Sequence, residues 1–169
     1  MKIILILLFL IFPMMSSAND VPNNFILLEA IRDNQLSPSY DYDNDPNTLL
    51  HEEMLVSLGQ LEVLGTEDSE PNYQKAHELF GGAAKNNHAV AQFYLGLMYR
   101  YGIGVKQDYE IAFTWFEKAA EQDYPEGYYN LGEMYEFGLG IKKDSEKAKI
   151  KYVFACIFKS VLCDKIQKK

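Results

Sequence analysis

The chain is short of basic residues relative to acidic ones. Its 169 residues carry 16 lysines and arginines against 24 aspartates and glutamates, which gives a formal net charge of −8. Nucleic-acid-binding domains present a basic patch or stripe, so this balance argues against a nucleic-acid partner. Twelve of the acids lie between residues 19 and 70, where Arg32 is the only base. We interpret this part as a solvated acidic linker, with a docking tail as the alternative.

The chain also lacks an apolar run long enough to span a bilayer. Its longest run extends from Ile3 to Phe12, whereas a spanning helix needs about 20 apolar residues. Lys2 precedes the run and small residues ending at Ala18 follow it. This arrangement is typical of a secretory signal peptide cut after Ala18, although a membrane anchor is the competing interpretation. We expect a signal peptide over residues 1–18, secreted or periplasmic localisation, and no membrane contact after cleavage.

Motifs that mark catalytic or metal sites are missing as well. The histidines, His51, His77 and His88, are far apart and none belongs to H-E-x-x-H. Neither G-x-S-x-G nor S-x-x-K occurs in the chain. Glu133 and Glu136 form an acid pair one helical turn apart, which is typical of a solvated helix face. We predict no catalytic residue, no metal and no cofactor.

A repeated segment dominates the second half of the sequence. The stretch LGLMYRYGIGVKQDYEIAFTWFEKAA, which begins at Leu95, recurs 36 residues later as LGEMYEFGLGIKKDSEKAKIKYVFAC. A weaker copy begins at Leu58. A period in the thirties indicates stacked repeats. The Gly-x-Gly of each copy is predicted to be a turn, because Gln107 stands where a nucleotide-binding loop needs its third glycine.

Each copy is predicted to form a helical hairpin. Gly96 lies inside the first helix, at a cost of about 1 kcal/mol relative to alanine that is tolerable where a neighbouring helix approaches closely. Gly102 is expected to end that helix with a positive φ, and Asp108 to cap the next helix. The predicted structural positions of the two copies are Gly96, Gly102, Gly104, Asp108, Gly132, Gly138, Gly140 and Asp144.

The pattern L-G-x-x-Y-x-x-G-x-G-[VI]-x-x-D-x-x-x-A-x-x-[WFY]-[FY]-x-x-A resembles the Sel-one-like repeat, a relative of the tetratricopeptide repeat, over residues 50–160. The resemblance implies an all-α, short right-handed superhelix of about three hairpin units, used as a scaffold for protein contacts. Because β-lactam-related activity is associated with a secreted branch of the family, the resemblance also implies the alternative function, a secreted β-lactam or cell-wall hydrolase. The first unit departs from the pattern at Glu62 and Glu67, and the third has Lys151 where the second has Trp115. We expect an acidic, partly disordered segment over residues 19–47 and a repeat domain with a C-terminal capping helix over residues 48–169.

The resemblance also places the partner-binding groove. By analogy with related repeats, the positions two before, two after and five after the leucine of Leu-Gly face the concave side. They are Phe93, Leu97, Arg100, Tyr129, Glu133 and Glu136. Aromatic and arginine side chains are good interface anchors, so we predict a monomeric, exported scaffold that binds a protein through these residues. The alternatives are that Phe93 and Tyr129 only pack between helices, or that the few units cap a larger assembly.

A disulfide between Cys156 and Cys163 is left open at this point. The resemblance implies it, because a secreted, cysteine-rich branch of the family often carries half of a disulfide at the position of Cys156. An unbroken helix would separate the two Cα atoms by about 10.5 Å, too far for a disulfide. A bond therefore requires the helix to end near Cys156, and the intervening IFKSVL contains no glycine or proline to end it.

Overall fold

A computed structural model of the chain describes residues 46–65, 70–159, 163 and 166. The predicted signal peptide, nearly all of the acidic segment, Glu67 and most of the predicted capping helix lie outside these residues. The described ranges contain helices and no strand. The helices are α1 (Pro46–Leu64), α2 (Tyr73–Lys85), α3 (Ala89–Tyr101), α4 (Tyr109–Ala120), α5 (Pro125–Phe137) and α6 (Ser145–Phe158).

The six helices form three hairpins that stack in chain order. Helix α1 packs on α2, α3 on α4, and α5 on α6, while α2 contacts α3 and α4 contacts α5. The prediction of an all-α superhelix of three hairpin units is confirmed. Because the main contacts of each hairpin in the described ranges are with the adjacent hairpin, the core is a continuous row of side chains between the hairpins.

Turn residues set the angle between the helices of a hairpin. Gly102 and Gly138 end α3 and α5 with φ of 68° and 71°, in the left-handed region that favours glycine. Asp108 then accepts a hydrogen bond from the backbone N–H of Ile111 at 3.0 Å, and Asp144 does the same for Lys147 at 3.0 Å. These caps satisfy backbone donors at the start of α4 and α6.

Glycines inside the first helices leave room for an aromatic ring. A Cβ atom added at Gly96 would lie within 3.0 Å of the ring of Phe116, and one added at Gly132 would meet the ring of Tyr152 at 2.5 Å. In both hairpins the ring therefore sits directly on the glycine backbone. The predicted close approach of the two helices is made through this ring.

Candidate functional site

The six predicted partner-binding residues all lie on α3 and α5, the first helices of the second and third units. The structure buries four of them: Phe93 and Leu97 are 3 % exposed, Tyr129 6 % and Arg100 8 %. The expectation that these four side chains line an open groove is therefore wrong. A first helix of a stacked hairpin is covered by other elements on more than one side, so positions beside its central leucine turn into the core.

Phe93 shows what this burial involves. Its ring centroid lies 5.5 Å from that of Tyr94, 6.1 Å from that of Phe116 and 5.3 Å from that of Tyr124. These rings come from α3, α4 and the loop before α5. Tilted aromatic contacts of this kind add to the stability from burial, so Phe93 joins the second unit to the third.

Arg100 is the centre of a polar cluster between α3 and α5. Its Nη1 atom donates a 2.6 Å hydrogen bond to Oδ1 of Asn130 and lies 2.8 Å from Oε2 of Glu133. The hydroxyl of Tyr129 donates to the other carboxylate oxygen of Glu133 at 3.1 Å. Buried charges are tolerated when they are paired and hydrogen-bonded, and this pairing holds the carboxylate of Glu133 in one orientation.

A second carboxylate is held in the same manner one turn later on α5. The hydroxyl of Tyr152, from α6, donates a 2.5 Å hydrogen bond to Oε2 of Glu136. Both Glu133 and Glu136 remain partly exposed. The two acids therefore form a pair with fixed geometry on the first-helix side of the solenoid.

The tyrosines of this cluster are kept in their neutral form. Burial is the main cause that raises the pKa of Tyr129, and the negative charge of Glu133 adds to it. Burial likewise raises the pKa of Tyr152, followed by its hydrogen bond to Glu136. A neutral hydroxyl is a hydrogen-bond donor, so these tyrosines support the carboxylates rather than act as bases.

Asn130 and Tyr152 belong to the cluster although the sequence analysis did not select them. A signal was present in the repeat register: the preceding unit has Tyr94 and Phe116 at the corresponding positions, 36 residues earlier. Relative to that unit, an amide replaces a tyrosine ring at one position and a hydroxyl is added to the ring at the other, which indicates a local polar network. These two positions could therefore have indicated the polar surroundings of Arg100.

The histidines are used in separate contacts. The side chain of His77 lies 3.2 Å from the hydroxyl of Tyr99, and its pKa is lowered by burial. His88 lies 3.4 Å from a carboxylate oxygen of Glu53. Among the described residues, no three His, Cys, Asp or Glu side chains converge into a group that could hold a metal ion.

The two cysteines are joined in the structure. Their Cα atoms are 4.9 Å apart and their sulfur atoms are bonded. Helix α6 ends at Phe158, two residues after Cys156. The helix end that a bond requires is thus present without a glycine or proline. No helix in the described part of the chain has the length and apolar character needed to cross a bilayer.

Comparisons with known proteins agree with this architecture. The family model described as the Sel1 repeat matches residues 55–88, 89–124 and 125–150, more than half of the chain. A crystal structure of a Sel1 repeat protein from Oxalobacter formigenes is 28 % identical, with a TM-score of 0.63, over 80 % of this chain and 57 % of that one. Thus the chain spans a little over half the length of that relative.

A second solved structure supports the fold alone. Cysteine-rich protein B of Helicobacter pylori is 22 % identical, with a TM-score of 0.56, over 70 % of this chain and 93 % of that one. A search of the curated proteins found no match.

Proposed function

The chain belongs to the Sel1 repeat family, and on that premise we propose that it is an exported scaffold that binds another protein on the first-helix side of its hairpins. Sel1 repeat proteins usually mediate protein–protein interactions. Stacked hairpins suit this role because their first helices form an extended surface. No feature of the described residues favours the hydrolase alternative, so the scaffold is the only function we propose.

The observation that carries the proposal is the oriented acid pair, Glu133 and Glu136. Both side chains are partly exposed, and tyrosine hydroxyls and an arginine fix their orientation. A carboxylate that is already ordered loses less entropy on binding than a mobile one. The partner would supply lysine or arginine side chains, or backbone N–H groups, to these oxygens. Arg100 and Tyr129 position Glu133 from the core, while Phe93 and Leu97 contribute to the packing of α3.

Charge reversal at Glu136 tests this contact. Glu136→Lys leaves the pair between Arg100 and Glu133 intact, whereas a change at Glu133 would leave the buried arginine without its counter-charge. The matched control is Glu117→Lys on α4, an exposed position outside the cluster. The wild-type mature protein is used to capture its partner from the native envelope or secretions, and affinities are then measured for each variant.

We expect Glu136→Lys to weaken binding by about tenfold or more, because like charges then meet across the contact. Glu117→Lys should bind as the wild type does, and both variants should retain the wild-type circular dichroism spectrum. Equal binding by the two variants would show that the partner binds another surface of the protein.

We also propose that the protein is exported and acts as a monomer. Export rests on the sequence pattern of residues 1–18, and it fits a bond between Cys156 and Cys163, since disulfides persist in oxidising compartments. N-terminal sequencing of the natively produced protein should find Asn19 as the first residue. Retention of Met1 would contradict export with cleavage.

A further inference from the structure

The outer face of α6 carries an apolar stripe that is exposed to solvent. Its five side chains are between 40 % and 66 % exposed. They follow the spacing i, i+3, i+4, i+7 and i+8, which places them on one face of a helix. They are Ile150, Val153, Phe154, Ile157 and Phe158. The stripe covers the last nine residues of this 14-residue helix, a length of about 12 Å.

The stripe is a specific property of α6 and does not follow from its place at the end of the described hairpins. The corresponding positions of the second unit, 36 residues earlier on α4 and directly after it, are exposed or partly exposed as well, although another hairpin follows α4. All five carry polar side chains there. They are Thr114, Glu117, Lys118, Glu121 and Gln122. Positions that face solvent are therefore polar in the second unit and apolar in the third. This difference indicates that the face on α6 contacts another molecule.

Two rings of the stripe are held in place by a neighbouring helix. Tyr128 of α5 stacks on Phe154 with ring centroids 5.2 Å apart, and on Phe158 with centroids 5.8 Å apart. Both phenylalanines nevertheless keep at least 40 % of their surface exposed. The apolar face is therefore largely preformed and needs little ordering to make a contact.

The C-terminal part of the sequence, which includes α6, is rich in lysine, whereas the rest of the chain is acidic. Nine lysines and three acids lie between Lys142 and Lys169, which leaves seven bases against twenty-one acids in the rest of the chain. Lys147 and Lys151 lie close to the rings of Tyr135 and Tyr128, respectively. Lys147 and Lys151 thus give the apolar stripe a cationic border, while Lys149 and Lys159 are paired with Glu146 and Glu126. The partner of the stripe is expected to combine an apolar interior with a negative surface.

We propose that α6 binds flat on an anionic lipid bilayer, with its five apolar side chains in the boundary between headgroups and acyl chains and its lysines on the phosphates. A helix with bulky apolar residues on one face and lysines beside them has the composition of an interfacial helix. A straight stripe on one exposed helix face matches a planar surface. This assignment departs from the sequence expectation of no membrane contact, and it does not depend on the protein partner proposed above.

A second copy of the chain fits this face less well. The stripe exposes on the order of 500 Å², estimated from typical side-chain areas, whereas a stable interface buries about 800 Å² on each partner. Two copies would also bring their lysine borders together, which is unfavourable. An anionic bilayer removes the same apolar area from water and neutralises the lysines.

Vesicle flotation tests the proposal. The mature chain is mixed with vesicles of phosphatidylcholine alone, or of phosphatidylcholine with phosphatidylglycerol, and the bound fraction is measured. The test variant is Val153→Glu combined with Ile157→Glu, which gives α6 the residues that the second unit has at the same positions. The matched control is Glu117→Gln on α4 combined with Glu121→Gln at the C-cap of that helix. All four positions are exposed, so circular dichroism should show the wild-type fold.

We expect wild type and control to float with the anionic vesicles and to be released by salt, and the test variant to partition about tenfold less. The proposal is overturned if the wild type does not bind anionic vesicles, if it binds neutral vesicles equally well, or if the test variant binds as the wild type does. Sedimentation that shows dimers in the wild type and monomers in the test variant, without vesicle binding, would assign the stripe to self-association instead.

Discussion

Replacing Gly96 by alanine should destabilise the protein even though alanine is the better helix former. The new Cβ atom would lie within 3.0 Å of three ring carbons of Phe116, where carbon atoms prefer about 3.5–4.0 Å. Phe116 is fully buried and its ring also packs against Phe93. The ring therefore cannot move without disturbing the junction between the second and third units.

The size of the effect follows from two opposing contributions. Alanine gains about 1 kcal/mol over glycine in helix propensity, while overpacking a well-filled core costs about 1–3 kcal/mol and occasionally more. The short distances place the overpacking cost at or above the upper end of this range. We therefore expect the free energy of unfolding to fall by about 2 kcal/mol. For a domain of this size that corresponds to a fall in melting temperature of about 10 °C, measured by circular dichroism.

Gly81 on α2 provides the matched control. A Cβ atom there would meet no other atom within 4 Å, so Gly81→Ala should raise the stability by about 0.5–1 kcal/mol. Adding Phe116→Leu to Gly96→Ala should cost less than the sum of the two single changes, since the smaller side chain makes room for the methyl group. If Gly96→Ala raises the melting temperature as Gly81→Ala does, the ring does not need the glycine and our reasoning fails.

Three further predictions concern the turns, the tyrosines and the cysteines. Gly138→Val should cost about 1–2 kcal/mol because φ is positive there, whereas Ser145→Ala should do little; equal melting temperatures would contradict the role of the turn. Because the pKa of Tyr152 is raised above its ordinary value of 10.0, the free energy of unfolding should be insensitive to this group below that pH and fall as pH rises above it. Tyr152→Phe should reduce this fall in the free energy of unfolding, which is measured by urea titration at each pH. An unchanged dependence of the free energy on pH would contradict the prediction. Mass spectrometry without reductant should find Cys156 and Cys163 bonded, and two free thiols would refute the bond.

The position of every hairpin could be predicted from the sequence because helix ends are local features. A glycine that must adopt a positive φ and an aspartate that accepts the next backbone N–H act within a few residues of one another, as Gly102 and Asp108 do. The 36-residue repeat then indicated that the same unit is stacked. Both inferences needed only near neighbours in the chain and a period.

The chemistry of individual surfaces depended on contacts between units, which no local pattern contains. Phe93 and Arg100 resemble interface anchors in composition, yet the stacking of α4 and α5 against α3 buries both. The sequence alone could not predict this packing, since the same side chains are suited to a binding groove or to a core. Conversely, a helix that carries Val153 and Ile157 could have been a buried one, and only the tertiary structure leaves its apolar face in solvent. Local signals thus determined the units, while the burial created by stacking decided which residues remain available for binding.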